Sequence, residues 1–369
     1  MAMLKKLPLS SFVLTLVISC FTLVNSCDVD DDCQIIDTGD QDTTQVVDTT
    51  TTPYSNTKMD GISFVSPPNE FEEFHFGHID SIAANWMAIS PFAFSSSNTS
   101  PGVQFNPNFQ WWGETEEGVN TTIDYCRGRN MKIMLKPQVW IPSGGWVGHY
   151  NPGIEAGWQT WEEQYRDYIM IFVNIAIERD VEVFCVGTEY KIAAVEREPF
   201  WRQLIADIRA IYDGELVYAS NWDHYQNIAF WDELDYIGVD SYFPLVDAVT
   251  PTVEEIDAAW PPVKQQLADF SNQHGKQILF CEFGYMSIDH GAWQNWENEG
   301  NQANLNVNMV AQRNAFESFF KNIWEEDWFA GGFIWKWYHD HPNAGGPTHK
   351  EYTPQNKLAE KVIKQWYTE

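Results

Sequence analysis

From residue 60 onward the chain alternates between short apolar runs and longer segments whose apolar residues recur every three or four positions. Eight runs have the length and the β-branched or aromatic content of strands: GISFVS, ANWMAIS, KIMLKPQVW, VEVFCVGTE, LVYASNW, DYIGVDSYF, QILFCEFGY and GGFIWKWY. Several are apolar almost throughout, as expected of parallel strands covered on both faces. Helical patterns lie between most of them. WEEQYRDYIMIFVNIAIERD keeps a spacing of three to four, and EPFWRQLIADIRAIYDG opens with Pro199 in its first turn and is expected to end at Gly214. TVEEIDAAWPPVKQQLADFSNQHG is interrupted by Pro261 and Pro262 and is expected to be bent or split. Eight such units in about 310 residues predict an α/β fold, a single closed (β/α)8 TIM barrel over residues 59–369. The rival, a doubly wound open sheet, should carry a glycine-rich phosphate loop after its first strand; GISFVSPPNEFEEF has none.

The first 58 residues break this rhythm. Lys5 and Lys6, the apolar SSFVLTLVISCFTLV and then LVNSC predict a lipoprotein-type signal peptide over 1–26, with cleavage before a lipidated Cys27. Cys20 in VISC is a second, less well placed cysteine, and an ordinary secretory signal is the alternative. Residues 27–58 are rich in Asp and Thr and read as a disordered linker. Asp28, Asp30 and Asp32 have calcium-loop spacing, but Cys33 stands where such a loop needs glycine, so the run is read as charge, not as a metal site. The expected location is therefore exported: lipid-anchored to a bacterial membrane, at the outer membrane or cell surface, or secreted. No membrane-spanning run follows the signal. Of the six cysteines, Cys126, Cys185 and Cys281 fall in the barrel and read as small buried hydrophobes.

Composition narrows the partner. A net charge of −30 disfavours nucleic acid and anionic polysaccharides and fits a neutral ligand. A core can bury most of the 18 tryptophans, but sugar clefts also use indole faces as stacking platforms.

In a barrel of this kind the chemistry sits at the C-terminal ends of the strands. Strand three ends near Lys136, Gln138 and Trp140, strand four at Glu189, and strand five at Asn221, Trp222 and His224. Strand six ends at Asp240 and Tyr242, strand seven at Glu282 and Tyr285, and strand eight at Trp335 and Trp337. One strand-end glutamate is usually a cap or a salt-bridge partner. Two facing each other across one mouth are what glycoside hydrolysis requires, one carboxyl to protonate the leaving oxygen and one to attack or to activate water. Such an acid needs a partly desolvated site near the other carboxyl, and the nucleophile needs hydrogen-bond donors, for which Tyr242 is placed.

The placement on strands four and seven is similar to the clan of retaining (β/α)8 glycosidases. Within that clan the stretches GISF, ANWMAISPFAF, WWGETEE, IMLKPQVWIPSGGWVG, FCVGTEY, YASNWD, DYIGVDSYFPL and CEFGY resemble glycoside hydrolase family 113, the β-mannanases, in barrel order. The resemblance implies Glu189 as general acid/base and Glu282 as nucleophile, and no cofactor. It implies hydrolysis of β-1,4-mannan or mannooligosaccharides by double displacement. Many clan members carry Asn before the acid/base; Thr188 stands there instead, a form associated with family 113, which leaves Asn221 as the candidate for the sugar 2-hydroxyl. Trp335 is the expected floor of the bond-cleaving subsite. Trp140, Trp146 and Trp222 are expected to line others, and Lys136 and Tyr242 complete the expected substrate-binding set.

His339 and His341 flank Asp340 in YHDHP, but no other His-rich strand end completes a metal site, so no metal is expected. Two alternatives stay open: the same mechanism on another neutral β-glycan such as β-glucan or β-xylan, and a non-catalytic glycan-binding lipoprotein. The expected partner is a neutral β-linked glycan met by a monomer, with a membrane touched only through the lipid.

Overall fold

The computed structural model describes residues 58–106, 108–298 and 304–368. Eight parallel strands close into a barrel: β1 (Met59–Val65), β2 (Trp86–Ile89), β3 (Lys132–Leu135), β4 (Val183–Thr188), β5 (Glu215–Asn221), β6 (Ile237–Ser241), β7 (Ile278–Phe283) and β8 (Phe329–Tyr338). Each strand pairs with its neighbour in sequence, and β8 closes on β1 with Met59 opposite Gly331 and Ile62 opposite Ile334. The predicted barrel is the observed one, and all eight apolar runs contribute its strands. The signal peptide and nearly all of the linker, with Cys20, Cys27 and Cys33, lie outside the described residues.

The outer layer is less regular than the strands. Helices α1 (Glu116–Arg127), α2 (Glu155–Glu178), α3 (Lys191–Glu196), α4 (Glu198–Arg209), α5 (Val253–Asp257), α6 (Trp260–His274), α7 (Met309–Phe319) and α8 (Leu358–Thr368) cover the barrel. A ten-residue 3₁₀ segment, Glu73–Ile82, takes the helix position between β1 and β2. Only short 3₁₀ turns join β5 to β6. The split predicted at Pro261 and Pro262 occurs: α5 ends at Asp257 and the two prolines occupy the first turn of α6, where a missing N–H costs nothing. The expected end at Gly214 is not observed, because α4 stops at Arg209 and Gly214 lies next to the start of β5.

KIMLKPQVW, read as one strand, is two. Only Lys132–Leu135 belongs to the barrel; Gln138–Trp140 turns outward and pairs in parallel with Phe92–Phe94 as a separate two-stranded sheet above the mouth. Pro137 has no N–H to continue the ladder, which marks the bend. That bend buries the Lys136 side chain and aims Gln138 at the mouth.

The barrel interior holds Met134, Val183, Cys185, Val217, Ala219, Leu279, Cys281 and Phe333, while a larger aromatic-rich layer seals strands to helices. Gly187 illustrates the tolerance between these layers. A β-carbon there would meet the Trp201 ring at 2.6 Å and Tyr218 at 2.9 Å. Cys126, Cys185 and Cys281 are buried free thiols. Among the described residues no helix is long and apolar enough to cross a membrane.

Candidate active site

The strand ends converge on two glutamates held in different ways. Glu189 follows the last residue of β4 with φ +55°, a left-handed conformation that a glutamate adopts at a cost. Its N–H still donates to Ala219 O at 2.8 Å on β5, so the sheet ladder continues while the backbone turns. The side chain is half-buried at the mouth. The indole Nε1–H of Trp146 donates to Glu189 Oε2 at 2.7 Å. Burial first, then the nearby Glu282 carboxylate, push the Glu189 carboxyl up to about 7; the indole and Lys136 act in the other direction.

Glu282 lies inside β7 and is 7% exposed. Three donors converge on its carboxylate: the Lys136 ammonium and Gln138 Nε2 on Oε1, the latter at 3.1 Å, and the Tyr242 hydroxyl on Oε2 at 2.9 Å. Three donors, one of them charged, fix the orientation of this carboxylate. Burial, with the adjacent Glu282 carboxylate, keeps the Tyr242 phenol protonated, so it remains a donor.

Lys136 is not placed to touch sugar. The contact expected of it fails because the side chain is 0% exposed and spans from Glu282 to Asp240 Oδ1, 3.4 Å away, beneath the mouth. Burial alone would lower its pKa, but the carboxyls of Asp240 and Glu282 outweigh that and hold it up.

The other predicted positions fall into two groups. Asn221 and Trp222 stand on the β5 side, where Trp222 packs on Phe243 and Trp296. The buried Asn221 Oδ1 and His224 Nε2 atoms have no hydrogen-bonding partner among the described residues. Across the mouth, Trp335 and Trp140 line a cavity of about 520 Å³ walled by the ends of β1, β2 and β8 and by the small upper sheet. Trp140 is 55% exposed there. Trp337, two residues beyond Trp335, and Tyr285 are instead core residues. Thr188 is buried, its hydroxyl 3.9 Å from Cys185 Sγ.

Trp146, expected to line a subsite, donates to Glu189. Several other residues of this mouth were not picked out in the sequence. Trp111, Ser66 and Ser90 line the cavity, and both serine hydroxyls are buried without a partner among the described residues. Ser66 and Ser90 directly follow β1 and β2, so the strand-end rule that located Glu189 also reaches them. Glu114, on the same wall, is pushed up to about 7, chiefly by burial.

The YHDHP histidines are engaged elsewhere. His341 Nε2 meets Glu360 at 2.6 Å and its ring stacks on His78, while His339 packs against His75 and Phe71. Among the described residues no group of three or more His, Cys, Asp or Glu side chains could hold a metal ion.

Known proteins share this fold. No curated protein sequence matches the chain. Among solved structures, one described as a complex structure of a GH113 β-1,4-mannanase is 24% identical, with a TM-score of 0.72 over 84% of this chain and 99% of the other. The GH113 β-mannanase of Alicyclobacillus acidocaldarius, in complex with ManMIm, is 22% identical at TM-score 0.72, covering 85% and 98%. A β-glucuronidase of Faecalibacterium prausnitzii shares the barrel more distantly, at TM-score 0.56 and 12% identity over 84% of this chain and 49% of that one. The sequence profile of Glycoside Hydrolase Family 113 matches residues 73–357, most of the barrel. The chain is a glycoside hydrolase and belongs to family 113.

Proposed function

We propose that this glycosidase is a β-1,4-mannanase that cleaves mannan and mannooligosaccharides with retention of configuration. Glu189 is its acid/base and Glu282 its nucleophile. The observation that carries the reading is the asymmetry of the two carboxyls, one keeping its proton to about neutral pH and the other held by three donors. In the first step Glu189 gives its proton to the glycosidic oxygen while a Glu282 oxygen bonds to the anomeric carbon, and the leaving sugar departs as an alcohol. In the second, Glu189, now a carboxylate, takes a proton from water. The water oxygen displaces Glu282 from the same carbon.

The leaving sugar must lie within reach of Glu189. That puts the departing end of the chain over β4 and β5, near Trp146 and Trp222, and the retained end over Trp335, toward the cavity lined by Trp140 and Trp111. Aromatic faces and unpartnered hydroxyls suit a neutral polyol, in keeping with the acidic surface. The mannan preference rests on the family, whose solved members named above are β-mannanases. Export with lipid attached at Cys27, action as a monomer and the 1–26/27–58/59–369 division complete the proposal.

The test is turnover of a panel of mannan, β-glucan and β-xylan by wild type, Glu189→Ala and Glu282→Ala. Hydrolysis of mannan above the other two, lost in both variants, is expected. A preference for glucan or xylan would reassign the substrate, and wild-type turnover by either variant would remove the catalytic assignment.

A further inference from the structure

Beneath the nucleophile lies a group with no role in the two steps above. Asp240 on β6 is opposite Glu282 in the strand register and is fully buried. Its Oδ1 accepts from Lys136 at 3.4 Å, and its Oδ2 has no hydrogen-bonding partner among the described residues. Lys136 therefore sits between two buried carboxyls, one ammonium against two potential anions.

Three ionised groups here would leave one uncompensated negative charge sealed from water, a costly arrangement that a single proton relieves. The hydrogen bonds indicate which carboxyl takes it. Glu282 receives three donors and Asp240 only one, at the long end of the range, and a proton settles on the carboxylate that fewest donors stabilise. The groups facing Asp240 agree. Among the described residues that shift it, Lys136 just past β3 is the one cation, Glu282 in β7 and Glu189 just past β4 are acidic, and burial keeps the thiols of Cys185 and Cys281 neutral. Burial and the two glutamates push the Asp240 carboxyl well above its usual range against the pull of Lys136.

We propose that Asp240 is a positioning residue that keeps its proton in the free enzyme, so that the single ammonium of Lys136 belongs to Glu282. Glu189, Asp240 and Glu282 then share two protons, on Glu189 and Asp240, and one negative charge, on the nucleophile. An ionised Asp240 would compete for Lys136 and draw it away from Glu282. Once Glu282 becomes an ester, the ammonium stays beside it and stabilises the carboxylate released in the second step. The proposal rests on Glu282 being the nucleophile.

Infrared difference spectroscopy on the folded full chain tests it, comparing wild type with Asp240→Asn near neutral pH. Wild type should show a protonated-carboxyl C=O band that Asp240→Asn lacks and Glu189→Gln retains. The pH dependence of kcat/KM supplies a second readout. Asp240→Asn mimics the neutral form and should leave the acid limb in place, whereas Lys136→Met should move it up by about one pH unit or more. No Asp240 band, or an acid limb that falls by about a unit in Asp240→Asn, would show an ionised Asp240 and overturn the proposal. The infrared comparison stands even if Lys136→Met fails to fold. It is also independent of the nucleophile assignment, which fails separately if Glu282→Ala keeps its turnover.

Discussion

Glu189 and Glu282 are the same residue type at the same face of one barrel, and their surroundings make them opposites. Glu189 sits on a left-handed residue just past its strand, half-buried, with a single donor from Trp146. Glu282 sits within its strand, nearly sealed, with a charged donor and two neutral ones. Desolvation without compensation holds a proton; desolvation with three donors holds a charge. The number of donors is what differs most between the two carboxyls: one on Glu189 and three on Glu282 among the described residues.

Removing either carboxyl breaks the comparison most completely. Glu282→Ala should lower mannan turnover by about 10⁴-fold or more, and added azide should restore activity with a glycosyl azide of inverted configuration. Glu189→Ala should cost about 10²- to 10⁴-fold on mannan but far less in the first step with an activated aryl mannoside, whose leaving group needs no proton. Azide should then yield a product of retained configuration. The two azide outcomes, read by NMR, separate the roles even if the rate losses are alike.

Smaller changes sharpen it. Tyr242→Phe removes one of three donors from Glu282 and should lower kcat/KM by about 10- to 100-fold, the range for a hydrogen bond to a charged group. Trp146→Phe removes the indole donor to Glu189. Because that donor favours the carboxylate, its loss should raise the Glu189 pKa further and move the alkaline limb of the pH–rate profile to higher pH, with a change of a few-fold in kcat. Stability gives the weakest signal. The folded-state pKa of Glu189, about 7, lies above its ordinary 4.5, so the folded protein loses stability as pH rises from about 4.5 to about 7. Glu189→Gln should therefore melt above wild type at pH 8, and the difference should vanish near pH 4.

The barrel and its two glutamates were legible because they follow from repetition. The eight apolar runs mark the strands, and the strand-end rule points at Glu189 and Glu282 without any contact being known. What stayed hidden depended on where single side chains turn. Lys136 reads as a strand-end cation facing the ligand, but the bend at Pro137 directs it inward under Glu282 and brings Gln138 to the same carboxylate. Trp146 belongs to a loop with no periodicity to place it, so its bond to Glu189 has no signature in the chain. Trp335 and Trp337 are two residues apart on one strand, yet the first lines the cavity and the second is 1% exposed. Alternation along the strand predicts a shared face, but the register with β1 shifts between Ile62 and Phe64, and Trp337 packs in the layer between strands and helices.

The central claim is that Glu282 carries the glycosyl group between the two steps. A 2-deoxy-2-fluoro-β-mannosyl fluoride slows both steps but releases the better leaving group, so the ester accumulates. Mass spectrometry of the inactivated protein should show one added fluoromannosyl group, and peptide mapping should place it on Glu282 in ILFCEFGY. A label on another residue, or continued turnover of the reagent with no label while mannan is being hydrolysed, would contradict the account.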